Sequence, residues 1–362
     1  MFPRMEAVYT GIDYLRLMPD KRKIEQAVAK MLKVNMGVKP GERILVLSDF
    51  PTASEWANMP VERLSEFVER SLLSKAVYEI VASRFPDCTV GFCAYPSVGR
   101  NAGDPGTEVA ERMKSADIAI AITTYSLTHT EARENACKAG VRVASMPLFL
   151  ADMFYEGGSM AADYAKVKKE TGVLARAITG AKEIIVKTPG GTDVRFSLMG
   201  RKGMSETGVY AQKGAWGNLP AGEAYSTPLE GTGNGRIVVE KGWHPNLEEN
   251  MTIFFKDGSA TEVLRGGKVG DELRSLLRPG TNEEPYTSRR NMAEFGIGTN
   301  PNAKRPDNTL ESEKIRGTIH IAVGDNAHMG GSVHADLHQD FIQPKPDVWV
   351  DGKLIMKSGK LV

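Results

Sequence analysis

Apolar residues in the first half of the chain come in two alternating textures. Lys21 to Met36 places Ile24, Val28, Met31, Leu32 and Val34 close to helical spacing and stops at Gly37 and Pro40, the punctuation of a helix end. Arg43 to Ser48 (RILVLS) is then a nearly unbroken apolar run, the mark of a strand covered on both faces. A long helical segment from Pro60 to Arg84 leads to a strand-like run at Thr89 to Ala94 and a polar, glycine-rich loop from Ser97 to Gly106. The cycle repeats with helix at Glu108 to Ser115, strand at Asp117 to Thr123, helix at Glu131 to Ala139 and strand at Val141 to Ser145. The helical stretch Ala161 to Ile178 closes it. Apolar strands alternating with helices predict a parallel sheet flanked by helices, joined by right-handed crossovers.

After about Thr179 the pattern becomes mostly β. Glu183 to Lys187 and Val194 to Leu198 flank Thr188-Pro-Gly-Gly-Thr192, a hairpin signal. Arg236 to Glu240, Met251 to Lys256, Thr318 to Val323 and Asp347 to Val350 read as further strands, the last turning at Asp351-Gly352 into Leu354 to Met356. Gly270 to Leu277 reads as helix. The expected organisation is an N-terminal α/β domain over 1–178 and a β-rich α+β domain over 179–362.

Composition narrows the function classes. The 362 residues are 41% hydrophobic and 25% charged, and Lys plus Arg (46) nearly balances Asp plus Glu (45) for a net charge of +1. Nothing there forms the basic face that nucleic acid demands, nor a polybasic run for a membrane surface. No window reaches the roughly 20 apolar residues needed to span a bilayer. Met1 to Asp20 mixes charge signs without a signal-peptide core. Three cysteines (Cys88, Cys93 and Cys137) are an odd set, which argues against a disulfide framework and for a reducing, cytoplasmic setting.

The chemistry-bearing residues lie late in the chain. Four of the six histidines (His320, His328, His334 and His338) fall in the last 43 residues. His320 sits in the strand pattern Thr318-Ile-His-Ile-Ala-Val323, where Thr318, His320 and Ala322 share one face. His338-Gln-Asp340 places an imidazole and a carboxylate on one side of an extended segment, a pair that suits zinc, manganese, cobalt or iron(II) without choosing among them. Glu294, inside the apolar stretch around Asn291-Met-Ala-Glu-Phe-Gly-Ile-Gly298, must be paired or coordinated if buried, because an isolated buried charge is too costly. Glu223 follows Pro220 and Gly222, which predicts a turn presenting its side chain.

These segments resemble a known family. Asn218 to Pro228 (NLPAGEAYSTP), Glu294 to Asn302 (EFGIGTNPN), Thr318 to Gly324 (TIHIAVG), His338-x-Asp340 and Val350-Asp-Gly-Lys-Leu-Ile355 occur in this order over the last 150 or so residues. They are similar to the aminopeptidase T family of metallopeptidases. Thr128-His-Thr-Glu-Ala-Arg133 adds a similar texture in the first half. The resemblance implies a homodimer and a site of two divalent ions (zinc, cobalt or manganese). Glu223, Glu294, His320, His338 and Asp340 would be the ligands, with Glu294 as catalytic proton shuttle. It departs from the family where a tyrosine ligand is expected. Ala327 stands there, with His328 as the candidate substitute. The implied activity is a metallo-aminopeptidase, a hydrolase releasing N-terminal residues from peptides through a metal-activated water.

A second reading stays open. A ring-cleaving dihydroxypyridine dioxygenase is similar to a distant member of the same fold, with a small-molecule substrate and one iron(II) held by two histidines and a carboxylate. His320, His338 and Asp340 would form that set. Glu223 and Glu294, which a single-iron site does not need, favour the hydrolase.

Overall fold

The computed structural model describes residues 19–362, so the reading of the N-terminus lies, up to Met18, outside the described residues. The described chain forms two compact units. The first runs to Ala161 and includes Val209–Leu219; the second comprises Ala162–Gly208 and Pro220–Val362. The helix Tyr164–Ile178, expected at the end of the first domain, belongs to the second unit. Among the described residues, no helix is long and apolar enough to cross a membrane.

The first unit contains β1 (Arg43–Phe50), β2 (Thr89–Pro96), β3 (Ile118–Thr123) and β4 (Arg142–Pro147). All pair in parallel, in the order β2-β1-β3-β4, and the short strand Trp216–Asn218 extends the edge beside β4. Every residue of β3 is buried, which is why its sequence is an uninterrupted apolar run. The Thr128 to Arg133 motif forms the turn after β3. Thr130 Oγ1 caps the helix Glu131–Lys138 by accepting from the Arg133 backbone N–H at 3.2 Å. The Arg133 side chain donates back to the Thr128 carbonyl at 2.8 Å.

The second unit holds two antiparallel sheets. Counting the Trp216–Asn218 strand as β8, the first includes β5 (Ile184–Lys187), β6 (Asp193–Phe196), β10 (Asn234–Val239), β11 (Met251–Lys256) and β12 (Ser259–Arg265). The hairpins of β16 (Asp347–Val350), β17 (Lys353–Lys357) and β18 (Lys360–Leu361) complete its eight strands. The second sheet is built from β7 (Met204–Glu206), β9 (Glu223–Ser226), β13 (Met292–Gly298), β14 (Thr318–Gly324) and β15 (His338–Pro344). Their order is β15-β14-β13-β9-β7. Both sheets share one hydrophobic core, with the rings of Phe196 and Phe295 5.2 Å apart. The expected fold class is therefore the observed one: a parallel α/β sheet, then a β-rich α+β unit.

Six strands go unread in the sequence: β12, β13, β18 and the short β7, β8 and β9, which lack their own apolar run. β7, β8 and β9 are three or four residues long, too short for a period to show. Glu223, expected to be presented by a turn at Pro220 and Gly222, is the first residue of β9.

Candidate metal centre

The five-stranded sheet separates chemistry from packing by simple alternation. Ala224, Phe295, Ile297, Ile319, Ile321, Val323 and Phe341 point into the shared core. The intervening residues point to the opposite face, where strand register brings them together. Gly298 pairs with Glu223, Gly296 with His320, and Ala322 with both Glu294 and Asp340; Gly324 pairs with His338. A bulge between Met292 and Glu294 sets this register and aims Glu294 onto the site face. Five ligand-type side chains from four strands thus meet on one surface.

Their atoms form a continuous line. Glu223 Oε2 lies 3.5 Å from His320 Nε2, and His320 Nε2 lies 3.4 Å from Glu294 Oε1. Glu294 Oε2 is 3.1 Å from His338 Nε2, which is 3.7 Å from Asp340 Oδ2. Two overlapping groups have ligand atoms all within 4.8 Å of one another: Glu223, Glu294 and His320, and Glu294, His338 and Asp340. Glu294 belongs to both. The line also has a direction, since the His320 side chain is 1% exposed and that of His338 is 25% exposed. The open end is at His338.

His338 is held in the orientation a ligand needs. Its Nδ1 donates to the Asp325 carbonyl at 2.8 Å, which fixes the tautomer and turns Nε2 toward the carboxylates. The loop carrying Asp325 is pinned by Asn326. Its amide donates to Thr227 Oγ1 and Glu230 Oε1, each at 2.9 Å, and its side-chain oxygen accepts from Val333 N at 2.9 Å. Glu230 is in turn ion-paired to Arg201. None of these supporting residues is legible as a ligand-positioning group from sequence, because each is a polar loop residue among many.

His328 is near the site but belongs to neither group of ligand atoms. Its Nδ1 pairs with Asp325 Oδ2 at 2.5 Å, and its ring stands edge-on to His338 with centroids 5.3 Å apart. His334, the remaining late histidine, lines a separate polar cavity of about 430 Å³ with Asp257, Glu284 and Asn291.

Buried opposite charges dominate the electrostatics. Burial pushes the Glu294 carboxyl up, but the hydrogen bonds and charges of His320 and His338 outweigh it and hold the group well below the usual carboxylate range. Burial opposes protonation of His320, yet the Glu294 hydrogen bond and the charges of Glu223 and Asp340 raise it to about 9. His338 is raised to about 10 against the same burial, chiefly by Asp340 and Glu294. Burial raises Glu223 to about 8, with Lys314 pulling the other way.

A divalent cation fits this donor set. Asp340 Oδ1 is buried without a hydrogen-bond partner, and imidazole plus carboxylate suits first-row divalent metals. Without the cation, the imidazoles hold protons that a metal must displace. Metal affinity is therefore expected to rise with pH up to the range of about 9 to 10 set by His320 and His338, by about tenfold per unit for each proton released. Calorimetric titrations at pH 6.5, 7.5 and 8.5 in buffers of different ionisation enthalpy check this. A pH-independent affinity with no proton release would contradict it.

The sequence model of the 2,5-dihydroxypyridine 5,6-dioxygenase family matches residues 23–362. The chain belongs to this family. A 2,5-dihydroxypyridine 5,6-dioxygenase from Pseudomonas putida is 23% identical over 275 residues, 71% of this chain and 74% of the relative. The solved structure of the 2,5-dihydroxypyridine dioxygenase from Pseudomonas putida KT2440 matches with a TM-score of 0.71 at 19% identity, covering 95% of this chain and 98% of that one. Wild-type AmpT from Thermus thermophilus matches with a TM-score of 0.60 at 17% identity, over 94% and 99% of the two chains. At these identities the two structures establish a shared fold and no more.

Membership of the dihydroxypyridine dioxygenase family corrects the expected activity. The metallo-aminopeptidase reading, with its hydrolase chemistry, peptide substrate and two-metal water, is overturned by a family match across nearly the whole chain. The motifs similar to aminopeptidase T go with a shared fold, whose sheet in this chain presents imidazoles and carboxylates. Such a sheet does not by itself select hydrolysis over oxygenation.

Glu223, which together with Glu294 favours two metals on the sequence alone, has a different partner in the structure. Lys314, buried at 3% side-chain exposure, places Nζ 2.6 Å from Glu223 Oε1. A carboxylate already paired with an ammonium is no longer evidence for a second ion.

Proposed function

We propose that this chain is a metal-dependent dioxygenase that opens the ring of a dihydroxylated pyridine or a closely related nitrogen heteroaromatic, using a single iron(II). The observation that carries the reading is the meeting of His320, His338, Glu294 and Asp340 on one sheet face in a chain of this family. Glu294 faces both imidazoles, so His320, His338 and Asp340 around it would supply the two-histidine and carboxylate donors that ferrous oxygenases use. Bound there, iron(II) supplies the one-electron chemistry that dioxygen needs to react with an aromatic ring.

The protein's own residues do the rest. Asp325, through its carbonyl, keeps His338 Nε2 aimed at the donor cluster. Substrate arrives from the His338 side, the more exposed end of the line. There His328, held by Asp325, presents an imidazole beside the His338 ring for a substrate hydroxyl to meet. The buried far end excludes water from the donor carboxylates.

The test is oxygen uptake with 2,5-dihydroxypyridine by protein loaded anaerobically with ferrous iron. One dioxygen consumed per ring lost is expected, abolished by a chelator and restored by iron(II) but not by zinc. Release of amino acids from amino-acid p-nitroanilides with zinc, cobalt or manganese, and no oxygen uptake, would sink the reading.

A further inference from the structure

Glu206 and Glu223 are paired directly across β7 and β9, and both are nearly buried, with side chains 12% and 8% exposed. Two like charges facing each other on neighbouring strands oppose sheet formation, and burial sharpens the conflict. Lys314 resolves it. Its Nζ lies 2.6 Å from Glu223 Oε1, 2.9 Å from Glu206 Oε2 and 3.0 Å from Glu313 Oε2. Three carboxylates thus surround one cation, which the chain itself provides. Glu223 has its Oε1 on this ammonium, while Oε2 turns toward His320 Nε2 at 3.5 Å.

We propose that Lys314 is a built-in cation standing where a second metal ion would otherwise bind, so that the site loads one metal ion, among His320, Glu294, His338 and Asp340. Glu223 is then a positioning residue that ties the ammonium to His320 and does not ligate the metal. A second dication reaching Glu223 Oε2 would sit one carboxylate away from a fixed positive charge, and at that range in a buried setting the repulsion is strong. Without the ammonium, Glu206, Glu223 and Glu313 become an all-oxygen cradle of the kind that hard divalent ions occupy. The inference rests on the reading that this cluster binds metal, and is independent of which substrate it serves.

The experiment counts ions. Full-length protein stripped with a chelator is dialysed to equilibrium against manganese(II), and bound metal per chain is measured for the wild type and for Lys314→Met, Lys314→Arg and Glu223→Gln. One ion is expected in the wild type and in Lys314→Arg, and two in Lys314→Met, the second at least about 100-fold tighter than any second ion in the wild type. Glu223→Gln should keep its single ion within about tenfold of the wild-type affinity. One ion in a folded Lys314→Met overturns the inference and leaves the single-iron reading intact, whereas two ions in the wild type overturn the inference and the single-ion stoichiometry together. No ion in the wild type overturns the inference and the metal reading alike. If Lys314→Met fails to fold, Lys314→Gln, which also removes the positive charge, is counted in its place.

Discussion

Replacing His338 by alanine is expected to empty the site of iron and to slow ring opening by at least about 10³-fold, the equivalent of several kcal/mol of metal-supplied stabilisation. In the proposed site His338 is the donor at the open end of the line, 3.1 Å from Glu294 and 3.7 Å from Asp340. Its loss also leaves the Asp325 carbonyl without its imidazole partner. The fold should survive, because the side chain is a quarter exposed and lies on the face away from the core. Iron content by elemental analysis, oxygen uptake and a thermal melt together separate loss of metal from loss of structure. A folded variant that keeps its iron and works within tenfold of the wild type would remove His338 from the ligand set.

The second large effect comes from a residue with no side chain. Gly296 pairs with His320 across β13 and β14, and a Cβ built on it would overlap the Cε1 and Nε2 atoms of that imidazole. Gly296→Ala must therefore push His320 off its position. In a close-packed interior this costs about 1–3 kcal/mol, and it moves the ring nitrogen that faces both Glu223 and Glu294. A melting temperature lowered by several degrees is expected, with metal affinity weakened by at least about 100-fold. Differential scanning calorimetry and a metal titration measure the two. Unchanged metal affinity in Gly296→Ala would show that the ring can relocate without cost, and that its placement does not matter to the site.

Much of this centre is legible in the sequence because it is built on strands, whose period of two is easy to read. His320 among Ile319 and Ile321, and His338 two residues from Asp340, declare a shared face before any coordinates are known. Glu294 is recognisable because an acid in an apolar stretch needs a partner. Glu223 reads as a side chain presented by a turn because Pro220 and Gly222 dominate the local signal over a strand of only four residues.

Lys314 was missed for a different reason. In Glu311-Ser-Glu-Lys314 it reads as surface, and only long-range pairing with Glu206 and Glu223 reveals it as buried. The choice of activity was unreadable for a related reason. Imidazoles and carboxylates at these spacings serve hydrolysis and oxygenation alike, and the sequence hides the ammonium that neutralises the extra carboxylate.

Because each of β13, β14 and β15 carries donors on one side and core residues on the other, the two kinds of change open to these strands differ greatly in consequence. Swapping a donor for another residue alters reactivity and leaves the hydrophobic side whole. Adding or deleting a single residue would turn every later side chain of the strand through half a revolution, burying imidazoles in oil and exposing isoleucines to the substrate. Such a scaffold can exchange one chemistry for another only by substitution in place, with its strand lengths held constant.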